Sequence, residues 1–119
     1  MWPACEAVAC AVRRWISLVS VLASGVSSGG IIPYYALVDG FVHLAGRIYS
    51  SAFTFGATLF TLPSGYRPPN YVAATVWSLQ PTQVSVLYID PSGVAAIQDS
   101  NFVAANYIWL DNIQFLQGN

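Results

Sequence analysis

"FVHLAGRIY", residues 41–49, sets Val42, Leu44 and Ile48 on one side of an extended chain and His43, Arg47 and Tyr49 on the other. A period of two marks a strand with one buried face, because an amphipathic helix would repeat its apolar residues every three or four positions. "QVSVLYID" (83–90) repeats the pattern, with Val84, Val86 and Tyr88 alternating with Ser85 and Leu87. Turn signals separate these runs: "VDG" at 38–40, "LPSG" at 62–65, "RPPN" at 67–70, "QPTQ" at 80–83 and "DPSG" at 90–93. The spacing predicts strands over 33–38, 40–49, 56–61, 71–79, 84–90, 93–98, 105–110 and 112–116. Short strands with turns at this interval form an all-β, antiparallel β-sandwich of jelly-roll-like kind, here spanning 31–119. No helix is required after residue 30.

Residues 1–30 read differently. "ACEAVACAVRRWISLVSVLAS" (4–24) is rich in Ala, Val and Leu without Gly or internal Pro. It is long enough for a helix of about five to six turns. Pro3 and Gly25 suit the two ends of such a helix, and "GVSSGG" (25–30) reads as a flexible joint. Three accounts compete. In a secretory signal, Arg13 and Arg14 would precede the apolar run Trp15 to Ala23, with Val21-Leu22-Ala23 at the cleavage site, and the mature chain would have lost it. A membrane span would carry Arg13 and Arg14 at mid-bilayer, at high cost. A helix buried against copies of itself or a larger assembly, with the arginines at its rim, meets the fewest objections. Residues 1–30 are therefore expected to be an apolar N-terminal anchor and joint. Cys5 and Cys10, the only cysteines, match no zinc or redox spacing and would lie off a common helical face, so both read as small apolar residues.

Composition sets the function classes. Of 119 residues, 55% are apolar and 8% charged, with no lysine, where soluble chains average about 25% charged. Such a surface exposes apolar patches, which mark contacts with other macromolecules. A net charge of −1, with Arg13, Arg14, Arg47 and Arg67 as the four basic residues, lacks the footprint of nucleic-acid binding. Catalysis is not expected either. His43 is the single histidine and has no neighbouring acid to orient it. Asp39, Asp90, Asp99 and Asp111 lie in turn-like stretches, where Asp caps its own backbone, and Glu6 sits in the apolar N-terminal segment. Metal-ligand spacings and phosphate-cradling glycine loops are absent from the sequence, so no cofactor or metal is expected. Aromatic residues, among them Tyr71, Trp77, Tyr88, Tyr107 and Trp109, exceed what one small core needs and suit carbohydrate faces as well as protein interfaces.

Four motifs in order, "DGFVHLAGRIY", "ATLFTLPSGYRPPN", "VLYIDPSGV" and "YIWLDNIQF", resemble the C-terminal tip domain of tailed-phage fibre and minor tail proteins. The resemblance runs from residue 39 to residue 116. Phe60, Leu62, Pro63, Gly65, Tyr66, Arg67 and Pro68 match its Leu-Pro-x-Gly-Tyr-Arg-Pro corner. Ile89, Gly93 and Val94 match its hairpin, and Trp109, Leu110, Asp111, Ile113 and Phe115 its closing strand. It implies a non-enzymatic, trimeric β-sandwich on the exterior of the virion that binds the host surface through a bacterial glycan or protein. No nucleic-acid or membrane partner is implied. Residues 1–30 would contact other virion proteins. Because an apolar segment of about thirty residues, not a long fibre, precedes the domain, the alternative is a capsid decoration or head-spike protein with an assembly role.

Within this frame Pro63, Gly65, Tyr66, Arg67 and Pro68 form a structural corner. The prolines fix φ near −65° and the glycine permits a positive φ. The Tyr66 ring is expected on the end of the sandwich, and the Arg67 fork on a carboxylate such as Asp111 or on a neighbouring subunit's carbonyls. Receptor contacts are expected from two loops, through Ser50, Ser51, Phe53 and Phe55 in the first and Gln98, Asp99, Asn101 and Phe102 in the second.

Overall fold

Asp39 and Gly40 both take positive φ, 51° and 84°, the pair of left-handed residues that a two-residue hairpin turn of the favoured hand needs. They join β2 (Tyr34–Val38) to β3 (Phe41–Ala45), with Val38 opposite Phe41 and Tyr34 opposite Ala45. The computed structural model describes residues 15–50, 56–79, 83–98 and 107–118. Among these the further strands are β1 (Ile16–Ser17), β4 (Arg47–Tyr49), β5 (Thr58–Thr61), β6 (Val72–Leu79), β7 (Gln83–Ile89), β8 (Val94–Ile97), β9 (Tyr107–Trp109) and β10 (Gln114–Leu116). They form two antiparallel sheets, a four-stranded one in the order β1-β2-β3-β10 and a six-stranded one in the order β4-β9-β6-β7-β8-β5. The fold is thus an all-β antiparallel sandwich, as the alternation predicts.

One run reads as a single strand and folds as two. Residues 41–49 break at Gly46, so that β3 lies in the four-stranded sheet and β4 in the six-stranded one. Gly46 has φ 92°, and a Cβ there would stand 2.6 Å from the Ile32 carbonyl oxygen and 2.7 Å from Pro33 Cα. The chain returns between sheets at 110–113, where Asn112 takes φ 75°. The two crossings are tied together. The Leu110 N–H donates to the Gly46 carbonyl at 2.8 Å, and the Gly46 N–H donates to Asp111 Oδ1 at 2.9 Å. Asp111 therefore does not cap its own turn, nor does it meet Arg67; it holds a backbone amide 65 positions away. Corners at which strands change sheet are how packed sheets turn, and the closing motif "WLDNIQF" is the part of the sequence that builds this one.

The N-terminal segment departs from expectation. Ile16 and Ser17 pair with Tyr35 and Tyr34, and Val19–Val21 is a single 3-10 turn, so residues 15–24 are not an α-helix. Leu18 is fully buried in the core, which a helical anchor held apart from the sandwich would not allow. The expected joint is pinned as well: Ser27 and Tyr49 exchange backbone hydrogen bonds of 2.8 and 2.7 Å, and Arg47 Nη2 donates to the Gly29 carbonyl at 3.1 Å. Residues 15–30 thus pack on the sandwich and are not a separate appendage; residues 1–14 lie outside the described ones. The physical reason is that an apolar run without Gly or Pro leaves helix and strand undecided until tertiary partners choose.

This strap also closes the larger sheet. Leu22 bridges Phe60 on β5, one edge, and Ser27 bridges Tyr49 on β4, the other. Five residues reach at most about 17 Å, so the two edges curl towards each other. Between the sheets, Tyr35, Val42, Leu44 and Phe115 pack against Ile48, Phe60, Val76, Leu87, Ile89 and Ile108. A bulge between Thr58 and Phe60 turns both Leu59 and Phe60 inward, which simple alternation would forbid. Burial pushes the Tyr35 hydroxyl above the ordinary tyrosine pKa, with the charge of Tyr66 adding to the effect.

Candidate functional site

Along β7 the six-stranded sheet sets Ser85, Leu87 and Ile89 inward and Val84 and Tyr88 outward. Ser85 is 1% exposed, while Val84 and Tyr88 on the other face are 47% and 39% exposed. A sheet that covers a core on its inner face is expected to be polar outside, so exposed apolar side chains here mark the outer face for contact.

On this face an open groove of about 350 Å³ is lined by Gly56, Tyr71, Tyr88, Asp90, Val94, Ala96 and Gln98. Its walls and floor follow from register. Tyr88 stands opposite Ala73 on β6 and Ala96 on β8, two methyl groups that leave its ring clear of neighbours. Tyr71 immediately precedes β6 and is 72% exposed. Gly56, with φ 79° and nothing within 4 Å of a Cβ position, keeps the mouth open, while its N–H is fixed on the Ile97 carbonyl at 2.8 Å. Asp90 closes one end. Its Oδ1 accepts the Ser92 and Val94 N–H groups at 2.9 and 3.1 Å, so the turn that follows β7 orients the carboxylate.

Two phenol rings, one carboxylate and one primary amide around a shallow groove make a binding set. The rings supply faces for C–H groups, and Asp90 and Gln98 supply the acceptors and donors that a hydroxyl-rich ligand needs. No cluster of metal ligands occurs among the described residues. His43 lies on the other sheet, paired with Ala36 and Gln114.

Of the expected receptor residues, Gln98 lines the groove, whereas Ser50, directly after β4, is buried. Ser51, Phe53, Phe55, Asp99, Asn101 and Phe102 lie outside the described residues. Tyr71, Tyr88 and Asp90 were legible only as surplus aromatics and a turn acid; the signal that could have found them is the Val-Ser-Val order in 84–86, which puts valines outward once Leu87 and Ile89 face in.

The corner lies at the end of the sandwich and acts as a hub. Gly65 has φ 96°, the Tyr66 N–H donates to Pro63 O at 3.1 Å, and the Tyr66 ring meets Tyr35 edge-on at 4.8 Å. Arg67 Nε donates to the Leu62 carbonyl at 2.9 Å, a partner within its own corner. Gly93 packs against the Leu62 backbone and the Arg67 stem. From the C-terminus, Gln117 Nε2 donates to Gly65 O and the Gly118 N–H to Arg67 O, both at 2.6 Å. Pro63 and Pro68 are the rigid ends of this loop. Arg67→Ala should lower stability by about 1–3 kcal/mol, because it strips a carbonyl of its donor and Gly93 of its packing. Ligand binding should fall only in proportion to folded protein; an Arg67→Ala chain that melts like wild type would contradict the scaffold role.

No family model matches the chain, and no curated protein matches its sequence. Among solved structures it is similar to the head domain of phage bIL170, described as a receptor-binding domain of a lactococcal phage. The TM-score is 0.63 at 18% identity, over 88% of this chain and 98% of that one. The two share a fold.

Proposed function

We propose that the protein is a non-enzymatic receptor-binding head domain on the exterior of a phage virion, a homotrimer that attaches to the bacterial surface by holding a glycan in the groove of Tyr71, Tyr88, Asp90 and Gln98. The observation that carries this reading is the match in fold along nearly the whole of a receptor-binding head domain. The groove supports it by giving the shared fold a ligand-shaped place on its outer sheet face. Scarcity of charge and abundance of aromatics support self-association of the kind the tail-tip resemblance implies.

A bacterial glycan array and host-cell binding test the proposal. Wild-type protein should be retained by a defined set of surface saccharides. Tyr71→Ala and Tyr88→Ala should each lower that binding tenfold or more with little change in melting, since both rings are solvent-facing. Light scattering on the intact chain should return about three times the 12.8 kDa monomer mass. Retention on no saccharide, together with occupancy at capsid symmetry sites, would instead establish the decoration role.

A further inference from the structure

The groove occupies only one end of the outer sheet face. Four residues back along the strands, Arg47, Trp109, Trp77 and Val84 stand in one row across β4, β9, β6 and β7, paired in register with one another. Trp77 is 56% exposed. Arg47 lays its guanidinium carbon 4.1 Å from the centre of the Tyr107 ring and 5.2 Å from that of Trp109. This stacking and the bond to Gly29 O fix the Arg47 end of the row. Trp77 and Ala73, like Val84 and Tyr88, are four positions apart, about 13 Å along a strand. Thr75, opposite Val86, lies between them, so only small side chains on β6 separate shelf from groove.

We infer that this row is a second subsite for the same ligand, and that the ligand is a chain of several sugar residues running along β6 and β7 from the groove onto the Trp77 shelf. The inference rests on the glycan reading of the groove. Charge decides for a glycan over a second copy of this protein. The face carries the Asp90 carboxylate, and both described cations are committed, Arg47 to Gly29 O and its rings and Arg67 to Leu62 O. Another copy would bury Asp90 without a described partner cation, a costly arrangement. A neutral sugar chain instead offers hydroxyls to Asp90, Thr75 and Gln98 and ring faces to Tyr88 and Trp77 at once.

The test uses the intact protein and a series of bacterial cell-wall and capsular oligosaccharides of one to six residues. Affinity should rise with chain length until groove and shelf are both filled. Trp77→Ala should erase about tenfold of that gain, as loss of one aromatic contact does, and leave monosaccharide binding unchanged. Tyr71→Ala should weaken every length, and melting curves should show both variants folded. If Trp77→Ala keeps the full gain with length, the subsite is overturned while the groove stands. If wild type binds no length at all, the glycan reading falls and takes this inference with it. A drop in oligomer mass on Trp77→Ala would show a second copy seated on the shelf and equally overturn it.

Discussion

Gly46→Ala is expected to cost about 4 kcal/mol or more, enough to abolish folding in a domain of ordinary stability. Two penalties combine. A side chain at φ 92° is strained by about 1–2 kcal/mol whatever surrounds it. The added Cβ would also press on the backbone of Ile32 and Pro33 at 2.6 and 2.7 Å, and backbone cannot swing aside as a side chain can. Gly40→Ala provides the control, with φ 84° and nothing within 4 Å of the new atom. It should show the strain alone, about 1–2 kcal/mol. Urea midpoints of the two variants make the comparison, and equal losses would mean that the sheet crossing at Gly46 is not tightly packed.

Phe60→Ala should lower stability by about 3–5 kcal/mol. Among the described residues Phe60 is the largest of the fully buried side chains, and it stands on β5 where the Leu22 bridge ties the N-terminal strap to the sheet edge. Its loss opens a cavity and loosens the strap together. Phe41→Ala, on the outer face of the four-stranded sheet and half exposed, should stay within about 0.5 kcal/mol. A loss below 1 kcal/mol at Phe60 would show that the neighbouring side chains collapse into the space.

The strands were readable because their inward residues recur every second position and their turns carry Asp-Gly, Asp-Pro-Ser-Gly or Leu-Pro-x-Gly. Gly46 was not readable as a crossing, since a lone glycine inside a strand pattern serves equally as a bulge, a bend or a close approach. Asp111 was read as a turn residue because its true partner, the Gly46 amide, is brought to it only by the tertiary fold. β1 is two residues long, too short to show any period, and the apolar run around it suited a helix just as well. The groove was half visible. Gln98 fell in a predicted loop, but nothing in sequence brings Tyr71, which precedes β6, beside Asp90, which follows β7, until the hairpin is paired.

The pairing of β10 with β3, Gln114 with His43 and Leu116 with Phe41, sets the order in which the chain can mature during synthesis. β3 leaves the ribosome well before β10, the strand that completes its sheet, which lies far downstream in the chain. Until then the inner face of Val42 lacks its Phe115 cover, and one backbone edge of β3 stays open to any other extended chain. Nascent copies on neighbouring ribosomes carry that same bare edge, so premature termination or slow release favours pairing between chains. The domain thus becomes safe to concentrate only once Gln114–Leu116 have docked on β3.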